Sequence, residues 1–231
     1  MHHAQRPRER GRWTTTIALL LLALIPTLGG AQRLALLSAG ATPTVDDARI
    51  AQAPVPMALH VVGATLFTVI GALQFSPALT RDRTKLHRAL GWALGAFGIL
   101  GALSGVWLAL FLPLPAGGHA LNSALRVIVG GAMTVFIVNA TRAATQGSIG
   151  EHRAWIIRAY AVASAAGTQA FVLAPLTLLS GVRPATVHTV GLALGWAINV
   201  LVGEWIIRRR SATTSEPRQA RSATGERPLR S

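Results

Sequence analysis

The chain has 231 residues, of which 51% are hydrophobic and 13% charged, with a net charge of +14 and no cysteine. A water-soluble domain of this size needs more surface charge than that. The absence of cysteine excludes disulfides, thiol catalysis, iron–sulfur clusters and covalently attached c-type haem.

The first twelve residues form a basic tail with Arg6, Arg8, Arg10 and Arg12. An apolar stretch follows at 13–28. We read it as a retained membrane helix. The Gly29-Gly30-Ala31 after it also fits a cleaved leader, which would leave the remaining topology unchanged. The segment at about 31–56 holds Pro43, Asp46, Asp47, Pro54 and Pro56, and is long enough to fold over one mouth of a bundle.

Further apolar stretches lie at 57–79, 90–112, 120–142, 155–180 and 185–207. Each exceeds the roughly 20 residues that a helix needs to cross a bilayer core. Glycine is frequent and two-residue alternation is absent, so helices are expected and a barrel is not. The fold class predicted is all-α, a bundle of about six membrane helices. The short connections make consecutive helices antiparallel neighbours. Gly91, Gly95, Gly98, Ala102 and Gly105 form a small-residue stripe, as do Gly191 and Gly195, and both suit close helix contacts.

Basic residues fall on alternate gaps. One side has the N-tail arginines, then Arg81, Arg83, Lys85, Arg88, Arg142 and Arg153, and seven arginines from Arg208 to Arg230; the other has Arg33, Arg49 and Arg183. The positive-inside rule then places both termini in the cytoplasm. The same pattern accounts for the positive charge without nucleic acid. Residues 208–231 are rich in Arg, Ser, Thr and Pro and read as a disordered tail able to lie on anionic lipid headgroups. The oligomeric state stays open.

Polar residues inside the spans are the candidates for function. His60 and Gln74 share a face of the second span, roughly 21 Å apart at 1.5 Å per residue. His87 lies in line with Gly91 and Gly95. His119, Asn122 and Arg126 share a face of the fourth span. Arg158 and Gln169 do so in the fifth, and His188, Gly191, Gly195 and Asn199 in the sixth. Arg126 sits roughly 9 Å into its span; it either snorkels outward or meets an anion. Arg158 reads as an interfacial anchor, and Glu204 as the partner of Arg208 at i,i+4.

His60, His119 and His188 lie toward the arginine-poor side, His87 and His152 toward the arginine-rich side. Histidines at matching depth on neighbouring helices can ligate b-type haem through two imidazoles. His87 with His152 would form the inner pair, and His60 with His119 or His188 the outer. Arg126 would neutralise a propionate. All five also sit near span ends, where they suit lipid anchors and helix caps. No carboxylate lies in mid-span, which argues against a proton-coupled carrier. Phosphate loops, zinc-protease motifs and nucleophile elbows are absent.

The residues His60…Gly71-x-x-Gln74-Phe75, His87-Arg88-x-x-Gly91 and His152-Arg153-x-Trp155-x-x-Arg158 resemble the bacterial predicted membrane proteins grouped as domain of unknown function DUF2306, over roughly Leu59–Pro175. The resemblance implies a multi-pass membrane protein and no particular activity. The spacing of His60, His87, His119 and His152 is also similar in arrangement to the transmembrane ascorbate-reducible cytochrome b proteins, which carry one histidine on each of four consecutive helices. Two expectations follow: an electron carrier holding b-type haem, or a membrane protein without a cofactor, structural or passing a small solute.

Overall fold

The computed structural model describes residues 7–76, 84–113, 120–180 and 185–223. They form seven helices: α1 (Pro7–Ser38), α2 (Val45–Ile50), α3 (Pro54–Gln74), α4 (Thr84–Phe111), α5 (Ala120–Thr145), α6 (Ile149–Ser180) and α7 (Ala185–Ala223). All but α2 are long and apolar enough to cross a membrane, and together they make six spans. Their outward surfaces carry exposed Leu21, Leu110, Ile128, Leu201 and Trp205. A contiguous apolar exterior of this kind belongs against lipid.

The helices are longer at some ends than hydropathy alone predicts. α1 continues through Gly29 and Gly30 to Ser38. It closes on Gly40 in the left-handed region, with the Ala41 amide donating to the Leu36 oxygen. That is the glycine-terminated turn that satisfies terminal carbonyls. α5 ends the same way at Gly147, so only three residues separate it from α6. α3 begins at Pro54, since proline at the first helical turn gives up no bonded amide. α7 runs past the expected limit of 207 to Ala223, through most of the tail expected to be disordered. Arg and Ala recur there, and both favour helix.

Sequential pairs pack most closely, α3 with α4 and α6 with α7, followed by α4 with α5 and α5 with α6. α6 also touches α1 and α3, so it is the helix with the most neighbours. Its enclosed face carries Ala159, Tyr160, Val162 and Ala165. Phe67 of α3 and Ile137 of α5, each 1% exposed, meet over Gly98 of α4.

Gly98, Gly105, Gly191 and Gly195 make the close helix contacts expected of the stripes, Gly91 does not among the described residues, and Gly63 adds one. A Cβ at Gly63 would come within 2.7 Å of the Gly101 amide nitrogen, so the α3 and α4 backbones are in direct contact. With Phe67 on Gly98 and His60 on Gly105, the numbers run in opposite senses and α3 and α4 are antiparallel. Leu173 covers Gly191 and Gln169 covers Gly195, joining α6 to α7. Gly167 of α6 admits the Leu22 backbone, which docks α1.

The segment before α3 folds back over the arginine-poor end. Thr44 caps α2 by accepting from the Asp47 amide at 3.1 Å. Arg33 at the end of α1 reaches Asp46 and Asp47 at 3.1 and 2.9 Å, and Arg49 holds Asp46 at 2.8 Å. Arg49 also donates to the Pro113 oxygen just beyond α4, at 3.0 Å. Ile50 and Ala53 are buried beneath this strap.

Candidate functional site

Three polar regions lie at different depths. The one at the arginine-poor end starts from Arg126 on α5. Its Nε donates to Asn122 Oδ1 at 2.6 Å, one turn closer to that end. An arginine nitrogen can only donate, which fixes the Asn122 amide with its oxygen toward Arg126. The amide nitrogen therefore faces α7, 3.3 Å from His188 Nδ1 and 3.4 Å from Thr189 Oγ1. His188 accepts through Nδ1, so its ring carries its proton on the other nitrogen. Arg126 lies within electrostatic reach of Arg49 and Asp46 of the strap and of His60.

His60 turns toward α4. Its Nδ1 lies 2.8 Å from the Gly101 oxygen, and its ring fills the space over Gly105. The glycine is required there, since a Cβ would sit 2.9 Å from the ring. His119, the expected partner of His60, lies outside the described residues.

The second region joins α6 to α7 in mid-membrane. Asn199 donates to Thr168 Oγ1 at 2.6 Å and accepts from Ser164 at 3.3 Å. Gln169 donates to the Leu192 oxygen at 3.1 Å. Nearer the arginine-rich end, Arg158 grips Glu204 through Nε at 2.5 Å and Nη2 at 3.1 Å, with its guanidinium 4.7 Å from the Trp155 ring centre. This corrects two expectations. Arg158 is not a lone interfacial anchor, and Glu204 accepts its hydrogen bonds from Arg158 of α6 and not from Arg208. The i,i+4 partner stays near as a charge, but the arginine on the facing helix presents two aligned donors to both carboxylate oxygens.

The third region is the arginine-rich end of α3, α4, α5 and α6. His152 Nδ1 lies 2.8 Å from the Ala140 oxygen of α5, and its own amide donates to Ser148 at the helix start. His87 of α4 is within electrostatic reach of His152. His87 Nδ1 and Gln74 Nε2 are both enclosed and have no hydrogen-bond partner among the described residues. Gln74 is on the α3 stripe that faces α4 through His60, Gly63 and Phe67, and His87 is on the answering stripe of α4, three turns from Gly98. Packing along that α4 stripe is uneven. Gly98, Gly101 and Gly105 each have a neighbour that a Cβ would strike within 3 Å. Among the described residues, the nearest atoms to a Cβ at Gly95, from Ile137 and Thr141, are 3.8 Å away, and at Gly91 none lies within 4 Å. The interface is closed at one end and open beside His87.

Residues 57–207, about two thirds of the chain, match the family described as predicted membrane protein, DUF2306. The chain belongs to the DUF2306 family. Comparison with curated proteins and with solved structures gives no match. The matched stretch of this DUF2306 chain contains the five histidines and Arg126, Arg158 and Glu204, and excludes α1 and α2.

Tyr160 was not among the expected site residues. Its hydroxyl donates to the Thr68 oxygen at 2.7 Å, and its ring lies against Gly71, Phe67 and Phe75 at the centre of the bundle. A side chain that bonds to a backbone oxygen leaves no complementary residue to find in the sequence. Its rarity is the one available signal, since the chain has a single tyrosine. No group of three or more His, Asp or Glu residues suited to a bare metal ion occurs among the described residues. Two imidazoles, which is what a haem iron asks of its protein, fall outside that test.

Proposed function

We propose that this multi-pass membrane protein is a b-type haem carrier of electrons, with His87 and His152 as the axial ligands. The observation that carries the reading is the enclosed, unpartnered Nδ1 of His87 beside His152, where the glycine stripe leaves open space. Buried polar atoms without partners are rare enough to need a cause, and an absent ligand is one. His152 has the arrangement common for a metal-bound imidazole: one ring nitrogen held by a backbone carbonyl, the other left for the metal. Gly91 is where a ring system would enter, since no described atom stands within 4 Å of a Cβ there, whereas at Gly95 a Cβ would already touch Ile137 and Thr141 of α5. When bound, haem supplies a one-electron couple; the chain orients the imidazoles and excludes water around them.

The residues at the opposite end support a second haem less well. His60 is wedged between α3 and α4 and faces α4. Arg126 belongs to that end, too far along α5 to meet a propionate at the inner pair. We therefore place the reading on the inner pair alone.

The proposal extends to setting. We propose that the chain lies in a bacterial inner membrane with both termini in the cytoplasm, an orientation the arginine distribution supports, and with the basic tails against anionic headgroups. The haem would then lie near the cytoplasmic face.

The test is a reduced-minus-oxidised visible spectrum of protein purified from cells supplied with a haem precursor. Soret and α bands are expected, lost in His87→Ala and His152→Ala and kept in His188→Ala. Absence of both bands from the intact protein overturns the reading. It would favour a packed bundle without a cofactor, for which the α6–α7 hydrogen bonds speak.

A further inference from the structure

We infer that the Arg126 guanidinium, with Asn122 behind it and the α2 strap above it, is a binding site for an oxyanion at the arginine-poor end. The inference is independent of haem, since it concerns the opposite end of the bundle.

The argument begins with charge. Arg33, Arg49 and Arg126 gather here with Asp46 and Asp47. Both aspartates are already engaged by Arg33 and Arg49. Arg126 has no carboxylate within ion-pair distance among the described residues, and its only hydrogen bond is to a neutral amide through Nε. The cluster is one negative charge short. An arginine inside a membrane span is costly, by about 2.5–3.5 kcal/mol at a helix centre on insertion scales, unless something answers its charge.

Geometry sets what the answer would be. The bond from Nε to Asn122 turns the guanidinium along the helix toward the arginine-poor end, and the orientation of Asn122 is itself locked by His188 and Thr189 of α7. The two terminal nitrogens of Arg126 are left as a fork of donors. That fork matches two oxygens of a phosphate or a carboxylate, where a halide would meet it at only one point. Arg49 adds positive charge within electrostatic reach, although its own donors are taken by Asp46 and the Pro113 oxygen. The ligand class is a phosphate or carboxylate, from a lipid headgroup or from a free solute.

The experiment measures thermal unfolding of the full chain in two arms. In neutral detergent, inorganic phosphate is titrated at constant ionic strength held with chloride. In bilayer discs, phosphatidylglycerol is compared with phosphatidylcholine. A higher midpoint with phosphate identifies a free-anion site, and a higher midpoint with phosphatidylglycerol alone identifies a headgroup site. Either supports the inference if Arg126→Gln abolishes it. That variant removes a charge from the span, so folding should survive it. Asn122→Asp is the second variant. It keeps the guanidinium in place but supplies an internal counter-ion, so the anion effect should vanish while the basal midpoint holds or rises. No midpoint change in either arm, or an equal change in Arg126→Gln, overturns the inference.

Discussion

Arg158 of α6 and Glu204 of α7 meet through two parallel hydrogen bonds, at 2.5 and 3.1 Å, inside the span near the arginine-rich end. Removing one partner leaves the other charge unanswered at membrane depth. The side chains are 26% and 29% exposed, so the cost should fall between that of a surface pair and a fully buried one, about 1–3 kcal/mol. Glu204→Gln and Arg158→Met should each lower the thermal midpoint, and the double variant should recover much of the loss. Additive losses in the double variant would show that the two residues are not coupled.

Glycine substitutions should separate the closed and open parts of the α4 interface. Gly63→Val drives a branched side chain into the α4 backbone and should destabilise by about 1–3 kcal/mol or prevent folding. Gly91→Ala meets nothing within 4 Å and should leave the midpoint unchanged or raise it. Equal losses at both positions would contradict the unevenness described for this stripe.

The α2 strap should loosen in acid. Partial burial pushes the Asp46 carboxyl up, but hydrogen bonds and positive charge from Arg49 and then Arg33 outweigh it and hold the group below its ordinary value. A carboxylate depressed in the folded state stabilises above its unfolded value of about 3.9, and that contribution is lost as pH falls through the folded value. Amide exchange across Val45–Ile50, corrected for intrinsic rate, should therefore show protection near neutrality that falls below about pH 4. Asp46→Asn should lack that pH dependence. Retained protection in acid would mean that Ile50 burial alone holds the strap.

Tyr160→Phe keeps the ring over Gly71 and deletes the donor to the Thr68 oxygen. That oxygen already belongs to the α3 helical ladder, so it is not stranded by the loss. The expected cost is about 1 kcal/mol, seen as a lower midpoint with unchanged helix content by circular dichroism. Tyr160→Ala, which empties the centre of the aromatic cluster, should cost several times more.

The spans were legible because hydropathy is a property of each segment taken alone. A helix in lipid satisfies its own backbone, so twenty apolar residues suffice to announce it. The helix faces were legible for the same reason. Gly98 and Gly105 of α4, and Gly191 and Gly195 of α7, lie where helical spacing put them, against neighbours. The family match was foreshadowed by the His-Arg pairs, which needed no knowledge of the fold.

Partners were a different matter. A helical wheel says which residues share a face and is silent about what stands opposite. Glu204 had a suitable arginine one turn away in sequence, yet its bonds go to Arg158, 46 positions off. His60 looked available, and the fold set it against the Gly101 oxygen. His87 was read as the partner of His152, and Gln74 only as sharing a face with His60. Only packing left both without partners at the open end of one interface. Sequence alone determined that this is a multi-pass membrane chain with six segments long and apolar enough to cross a bilayer. The tertiary structure decided which polar groups answer one another and which are left waiting, because those choices depend on the rotation and depth of one helix against the next.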